Sequence, residues 1–191
     1  MALILASASP RRQELLRQIG LDFSVRAANI SESMEGLGTP EEAVRKISER
    51  KARAISASPE DTVLAADTIV VVDNEILGKP KNTDDARRML HLLSGRSHRV
   101  MTGFTVLHGE EQFSHTEITD LTFRPLGDAE IDAYIETGDP MDKAGAYGIQ
   151  GLAALFVTGI RGDYFNVMGL PLCALAPVLR RFGIPVLGEK G

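Results

Sequence analysis

Apolar residues along this chain fall into two patterns, each typical of one kind of secondary structure. Short apolar runs and alternating stretches predict β-strands, whereas apolar residues that recur every three or four positions predict helices. Strands are predicted at residues 3–6, 23–27, 62–66, 69–72, 98–108, 112–123 and 154–160, and helices from Pro10, at 40–57, 83–93 and 128–136, and from Pro171. Because helices and hairpins are interspersed, the pattern predicts a mixed α/β fold.

Polar residues indicate where helices begin and where loops lie. Ser9 suits the N-cap of a helix whose first residue is Pro10. The segment Thr39-Pro40-Glu41-Glu42 has the form of a capping box at the start of the second helix. Residues 29–38 precede this box and form a polar, glycine-containing loop that includes Glu32.

Length and composition narrow the class of protein. The 191 residues suffice for a single domain over 1–191. A net charge of −5, few aromatic residues and no Trp argue against a nucleic-acid partner. No apolar run is long enough for a membrane span or a signal peptide, so no membrane partner is expected. The single cysteine, Cys173, is expected in a buried helix and favours a reducing, cytoplasmic setting.

The segment Ser7-Ala8-Ser9-Pro10-Arg11-Arg12 joins a predicted strand to a predicted helix. Backbone N–H groups and the positive end of the helix dipole would gather there beside two hydroxyls and two guanidinium groups. This combination suits a phosphate-bearing ligand. The same residues also fit a well-capped surface helix with solvated arginines, and the segment alone leaves both interpretations open.

Three further segments carry recognisable motifs. They are residues 64–70 (LAADTIV), 78–80 (GKP) and 142–151 (DKAGAYGIQG). Together with the Ser7–Arg12 segment they closely resemble the Maf family of nucleoside triphosphate pyrophosphatases, over about residues 3 to 180. The Gly-Ile-Gln-Gly form of the last motif further resembles the subgroup that acts on dTTP and UTP.

This resemblance implies both a fold and an activity. The fold would be an elongated α/β structure, with a curved mixed sheet and a cleft between two lobes. The activity would be metal-assisted hydrolysis of dTTP and UTP, extending to modified pyrimidine nucleotides, to the monophosphate and pyrophosphate. Residue chemistry alone would equally allow loss of the γ-phosphate. The resemblance leaves a homodimer open.

Asp67 and Glu32 are the candidate catalytic carboxylates. A carboxylate fixed on a strand among apolar neighbours suits a general base or a metal ligand, although a lone Asp also commonly bonds backbone in a turn. In the family pattern, Asp67 matches the proton acceptor and Glu32 an acidic residue near metal and phosphates. Two carboxylates without His or Cys ligand spacing favour Mg²⁺ or Mn²⁺ over Zn²⁺.

The resemblance also assigns substrate-binding residues. Ser7, Arg11, Arg12, Lys51 and Lys79 would hold the phosphates, with Lys143 a weaker candidate. Arg12, Thr68 and Gln150 would set the choice of base, and the side-chain amide of Gln150 can both donate to and accept from a base edge. The four histidines show no pairing typical of catalysis and are expected to be structural or on the surface.

Two alternatives remain beside the dTTP/UTP interpretation. One is a pyrophosphatase for another base such as 7-methyl-GTP, whose subgroup differs at positions 12, 68 and 150. The other is a nucleotide-binding regulator of septum formation, in which hydrolysis is incidental. An enzyme needs Asp67 as well as the arginines, whereas a binding module would tolerate the loss of Asp67.

Overall fold

Strands and helices alternate along residues 2–188, which are the residues that the computed structural model describes. The strands are β1 (Leu3–Leu5), β2 (Ser24–Val25), β3 (Thr62–Val72), β4 (Glu75–Leu77), β5 (Ser97–His108), β6 (Glu111–Phe123) and β7 (Val157–Arg161). The helices are α1 (Pro10–Gln18), α2 (Pro40–Arg53), α3 (Thr83–Leu93), α4 (Asp128–Glu136), α5 (Tyr164–Met168) and α6 (Leu172–Arg181). None of these helices is both long and apolar enough to cross a bilayer.

The strands form one mixed sheet. Its order is β2-β1-β3-β5-β6-β7, and β4 pairs with β3 outside this path. Strand β1 is parallel to both β2 and β3, with Leu5 opposite Leu64. Strand β4 runs antiparallel to β3, and β7 antiparallel to β6. The mixed α/β fold expected from the hydrophobic pattern is therefore confirmed.

The described chain divides into two compact units. The first unit contains residues 2–67, 102–117 and 169–188, and the second contains residues 68–101 and 118–168. The first unit has a core in which Ile4 and Ala6 pack with Ala52 of α2 and with Val63 and Ala65 of β3. This packing places the end of β1, the last turns of α2 and the first half of β3 together. The cleft expected from the resemblance stays a prediction.

The second unit is built around aromatic side chains. Rings of Phe123, Tyr134, Tyr147 and Phe156 meet edge to face, with centroids 4.8 to 5.8 Å apart. Helices α3 and α4 pack against each other. Three short 3₁₀ turns, Asp139–Asp142, Ala144–Ala146 and Leu152–Phe156, follow α4. Most of the sequence motif at residues 142–151 therefore lies on irregular backbone.

Several element boundaries differ from the sequence prediction. Strand β3 is continuous through Asp67 and Thr68, because a cation from α2 satisfies the buried carboxylate. Residues 152–156 form a 3₁₀ turn and not the start of a strand. There, burial of Ala153 and Phe156 follows a period of three and not of two.

Other differences lie at element ends. Helix α2 ends at Arg53 and β2 spans only two residues. Helix α5 was not predicted, since its five residues are too few for a periodic signal. Cys173, expected to be buried, is exposed on α6. By contrast, α3 and α4 have the bounds that the sequence predicts.

Candidate active site

Three charged side chains of the first unit meet at one point. Nζ of Lys51 lies 2.6 Å from Oε1 of Glu32 and 2.6 Å from Oδ1 of Asp67. The side chains of Lys51 and Asp67 are almost fully buried, whereas that of Glu32 is 53% exposed. We call these three residues the carboxylate–lysine cluster. The exposure of Glu32 means that one side of the cluster is accessible to solvent and to a ligand.

Each member of the cluster is positioned by a different element. Asp67 lies on β3, Lys51 lies near the end of α2, and Glu32 lies in the loop before α2. Helix α2 can approach β5 closely because Gly103 has no side chain: a Cβ there would lie 2.6 Å from the carbonyl oxygen of Val44. The predicted loop therefore brings an acidic side chain to a lysine held firmly on a packed helix.

The loop that carries Glu32 is itself anchored to α2. Leu37 packs with Ala43 and Ile47, and its carbonyl oxygen accepts a hydrogen bond of 2.9 Å from Nζ of Lys46. Thr39 and Glu42 form the capping box that the sequence predicts, with both hydrogen bonds present. These contacts limit the freedom of the chain a few residues beyond Glu32.

Burial dominates the electrostatics of Asp67. Desolvation raises the pKa of its carboxyl, while the nearby charges of Lys51 and Arg12 partly oppose this rise. A buried carboxylate beside two cations can be ionised and still bind a proton more readily than an exposed Asp. These are the properties expected of a general base.

The oxygen atoms of the cluster fit a hard divalent cation. Oε1 of Glu32 and Oδ1 of Asp67 both face the same cationic atom, Nζ of Lys51. Mg²⁺ commonly binds one or two carboxylates and takes its other ligands from substrate phosphates and water. Within residues 2–188, no group of three or more His, Cys, Asp or Glu side chains is arranged to hold a metal.

The Ser7–Arg12 segment is held by its second arginine. Nε of Arg12 donates to the carbonyl oxygen of Gly169 at 2.8 Å, and Nη1 donates to Oγ of Ser7 at 3.0 Å. Both Ser7 and Arg12 are buried, and desolvation lowers the pKa of the Arg12 guanidinium. Ser9 occupies the N-cap of α1 as predicted, but its side chain makes no capping hydrogen bond.

Arg11 differs from Arg12 in its surroundings. It is half-buried and has no hydrogen-bond or ion-pair partner among residues 2–188. Arg12 points to internal partners, so its geometry is fixed before any ligand binds. Arg11 is left as the guanidinium of this segment that is available to an incoming anion.

The predicted residues of the second unit are more exposed. Lys79 lies on the exposed corner between Gly78 and the buried Pro80, and Gln150 is also exposed. Neither side chain has a hydrogen-bond or ion-pair partner in the described part of the chain. Thr68 is half-buried on β3. Lys79 and Gln150 therefore present their polar groups to solvent.

Lys143, a weaker candidate for phosphate binding, has a structural position instead. Its Nζ donates to the carbonyl oxygen of Asp139 at 2.6 Å and lies 3.0 Å from Oδ1 of the same residue. It also lies 2.7 Å from Oδ1 of Asp142. An ammonium group has three donors, and all three are accounted for by these oxygens.

Sequence reasoning missed the groups that support the predicted residues. The carbonyl of Gly169 holds Arg12, and Tyr134 bonds within the loop that carries Gln150. Such contacts join residues distant in sequence and leave no local pattern. The sequence has one local hint of this contact, the glycine in the segment Met-Gly-Leu-Pro. In the structure that glycine, Gly169, has a positive φ of 109°.

The sequence as a whole matches a known family over residues 2–182, described as Maf-like protein. This chain belongs to the Maf family. The family resemblance inferred from the motifs is thereby confirmed. The Maf match includes every residue of the carboxylate–lysine cluster and every other candidate site residue.

Curated relatives are similar over nearly their full length. The dTTP/UTP pyrophosphatase of Symbiobacterium thermophilum is 52% identical over 185 residues, which cover 96% of this chain and 95% of the relative. The dTTP/UTP pyrophosphatase of Thermococcus gammatolerans is 49% identical, with 98% of this chain and 100% of the relative covered. Relatives from a bacterium and from a Thermococcus thus share the same name.

Solved structures support the fold of this Maf protein. The Ham1 protein of Staphylococcus aureus superposes with a TM-score of 0.54 at 16% identity, covering 95% of this chain and 99% of the other. A HAM1 protein from Coxiella burnetii gives a TM-score of 0.51 at 17% identity, with coverage of 95% and 100%. At these identities the likeness concerns the fold alone.

Proposed function

We propose that this Maf protein hydrolyses dTTP and UTP to the nucleoside monophosphate and pyrophosphate, with a divalent metal ion and with Asp67 as the general base. The coarser part of this statement, that the chain is a nucleoside triphosphate pyrophosphatase, follows from its family and from the name its relatives share. The observation that supports the metal ion and the general base is the contact of Lys51 with both Glu32 and Asp67.

Asp67 would activate the attacking water. Its carboxylate accepts a proton from water, and the water oxygen forms a bond to the α-phosphorus while the bond from that phosphorus to the α–β bridging oxygen breaks. Pyrophosphate carries away the electron pair. The raised pKa of Asp67 supports this role, because a base whose pKa approaches the working pH holds the transferred proton better.

Glu32 and Asp67 would hold the metal ion, either Mg²⁺ or Mn²⁺, together with substrate oxygens. When bound, such an ion neutralises negative charge on the phosphates and orients them. Lys51 lies between these carboxylates. It keeps two negative side chains together in the free protein, and its ammonium is close enough to the site to share phosphate charge once a substrate arrives.

The phosphate chain would be bound by two sets of polar side chains. Ser7 and Arg12 form a buried, pre-positioned pair. Arg11 and Lys79 have no protein partner among the described residues and would bond phosphate oxygens directly. Stabilising the charge on the departing pyrophosphate is the largest contribution that such groups make to catalysis.

Base choice would depend on Arg12, Thr68 and Gln150. The exposed amide of Gln150 can complement the mixed donor and acceptor edge of uracil or thymine. Pyrimidine nucleotides modified at C5 of uracil present the same edge and are included in the proposal. The cytoplasmic setting, the homodimer and the lack of a nucleic-acid partner stay predictions of the sequence.

The test is pyrophosphate release across a panel of triphosphates, with and without Mg²⁺ or Mn²⁺. The panel contains dTTP, UTP, 5-methyl-UTP, dCTP, GTP and 7-methyl-GTP. We expect the highest kcat/KM for dTTP and UTP, and loss of activity when a chelator removes the metal. The highest value for 7-methyl-GTP would favour that alternative, and tight binding of dTTP without hydrolysis would favour the regulator.

A further inference from the structure

The loop that carries Gln150 has little regular structure of its own. Residues 143–151, here called the recognition loop, contain one 3₁₀ turn, and Ala146 within it has a positive φ of 60°. An L-residue in this conformation is strained unless its surroundings hold it. Contacts from outside the loop, together with its own backbone hydrogen bonds, hold this conformation.

Tyr134 of α4 supplies the central contact. Its hydroxyl accepts a hydrogen bond of 3.2 Å from the backbone N–H of Gly148 and donates one of 2.9 Å to Oδ2 of Asp139. The ring is buried and packs edge to face on Phe156, with centroids 5.2 Å apart. One hydroxyl thus joins the loop backbone to an acidic side chain.

Asp139 connects this hydroxyl to the other side of the loop. Its Oδ1 accepts from Nζ of Lys143, the first residue of the recognition loop, at 3.0 Å. The methylene groups of Lys143 lie against Gly148, where a Cβ would come within 2.6 Å of them. Tyr134, Asp139 and Lys143 therefore form a chain of bonds around which residues 143–148 fold.

The loop is also joined to the corner that carries Lys79. The backbone N–H of Gly145 donates to the carbonyl oxygen of Gly78 at 3.1 Å. Lys79 follows directly, and its side chain has no partner among the described residues. The backbone that places Lys79 is thus bonded to the backbone that leads to Gln150.

We propose that Tyr134 is a positioning residue for base selection, which rests on the proposed function. Its hydroxyl holds Gly148 and so fixes Gln150 two residues later. Burial raises the pKa of the Tyr134 phenol, which keeps the hydroxyl protonated and able to donate to Asp139. The residue acts through the loop and has no part in proton transfer.

The test is Tyr134→Phe, which removes the hydroxyl and keeps the ring. The matched control is Tyr164→Phe, because Tyr164 is exposed and its hydroxyl has no hydrogen bond among residues 2–188. The variant leaves a part-buried N–H and a carboxylate oxygen without this partner, a loss that typically changes an equilibrium about tenfold. We expect kcat/KM for dTTP and UTP to fall about tenfold through KM, with kcat and the value for GTP changed less than about twofold.

Hydrogen exchange supplies a readout independent of activity. Backbone amides of residues 143–151 should exchange about tenfold faster in Tyr134→Phe and at the wild-type rate in Tyr164→Phe. An unchanged preference between bases, or an equal fall for every base, would overturn the inference. If Tyr134→Phe does not fold, Lys143→Met serves instead, because it removes the bond of the same loop to Asp139. This variant should show the same loss of preference for dTTP and UTP. If Lys143→Met keeps the wild-type preference, the inference is overturned as well.

The two levels of the proposal fail in different ways. A wild-type protein that does not prefer dTTP and UTP to GTP overturns the proposed function and this inference with it. A wild-type protein that has the preference, together with a Tyr134→Phe variant that keeps it, overturns the inference alone.

Discussion

Two pairs of candidate residues, one pair in each unit, are held in opposite ways. In the first unit, Lys51 and Asp67 are buried on a helix and a strand and bond to each other. In the second, Lys79 and Gln150 are exposed at a corner and in a loop, without partners in the described chain. Groups that must act on a reacting atom need a fixed geometry, whereas groups that recognise a ligand can gain their partners from it. From this contrast we expect Lys51 and Asp67 to take part in the chemistry and Lys79 and Gln150 to recognise the ligand.

The largest effect should come from the first unit. Asp67→Asn is nearly isosteric but cannot accept the proton of water, so we expect kcat to fall roughly 10²–10⁴-fold. Nucleotide affinity should stay close to wild type and the fold should be retained, with a lower melting temperature because the buried ammonium of Lys51 loses a charged partner. Steady-state kinetics measure kcat, and calorimetry measures the affinity and the melting temperature.

Asp22→Asn is the matched control for that change. Asp22 is exposed in the first unit and has no hydrogen-bond or ion-pair partner among residues 2–188. It should keep wild-type activity. If Asp67→Asn also keeps near wild-type turnover, the carboxylate–lysine cluster is not the hydrolytic centre.

The stability of the second unit should depend on pH, because a histidine is buried in its interior. His98 is buried, its Nε2 lies 2.8 Å from the hydroxyl of Tyr147, and burial lowers its pKa from 6.5 to about 4. Between these two values the unfolded chain binds a proton that the folded chain excludes. The free energy of unfolding should therefore decrease as the pH falls from 6.5 to 4, by roughly 3 kcal/mol in total.

Denaturant titrations at pH 7 and pH 4.5 measure this contribution. His98→Gln cannot titrate and should lose much less stability between the two pH values than wild type. His91→Gln, at a histidine whose side chain is 45% exposed, should behave like wild type. Equal losses in all three proteins would mean that His98 titrates normally in the folded state.

The two neighbouring arginines sharpen the comparison within the first unit. Arg11→Ala and, in the second unit, Lys79→Ala should weaken dTTP binding roughly 10–100-fold, because charge-assisted bonds to phosphate are strong. Neither should lower the melting temperature much, since neither side chain has a hydrogen-bond or ion-pair partner among residues 2–188 to lose. Arg12→Ala should lower both the affinity for dTTP and the melting temperature, because Ser7 and the carbonyl of Gly169 lose a buried donor.

Calorimetry at two salt concentrations and thermal melts separate these outcomes. Binding to Arg11→Ala and Lys79→Ala should also depend less on salt than binding to wild type. Wild-type affinity in both variants would show that the phosphates are bound elsewhere.

The smallest expected effect is a change in the preference between bases, caused by a substitution of Gln150. Gln150→Glu loses an amide donor and adds a negative charge, which penalises a base that presents a carbonyl oxygen. We expect kcat/KM for dTTP and UTP to fall about tenfold more than that for GTP. An equal fall across bases would mean that Gln150 supports the loop and does not read the base.

The same contrast explains what the sequence could predict. Helix α3 was predicted with its bounds, and the structure shows that the side chain of Asn82 caps its start. Asp67 was predicted from its motif, and Glu32 and Lys51 were predicted from their positions in the family pattern. The contact of Lys51 with both carboxylates was not predicted. That contact depends on how α2 packs on the sheet, which no local pattern specifies.

The third motif shows the limit more clearly. Lys143 and Gln150 both belong to it, and both carry groups able to bind a nucleotide. Only the folded loop shows that Lys143 is bonded to Asp139 and Asp142 while Gln150 is exposed. The order of residues predicts which groups are present, and the tertiary contacts decide which of them are available.

The most direct test of the account is hydrolysis of dTTP by the wild-type protein in water enriched with oxygen-18. Attack of water at the α-phosphorus predicts one labelled oxygen in thymidine monophosphate and none in the pyrophosphate released. Label in inorganic phosphate, with thymidine diphosphate as the other product, would show attack at the γ-phosphorus and contradict the proposed reaction.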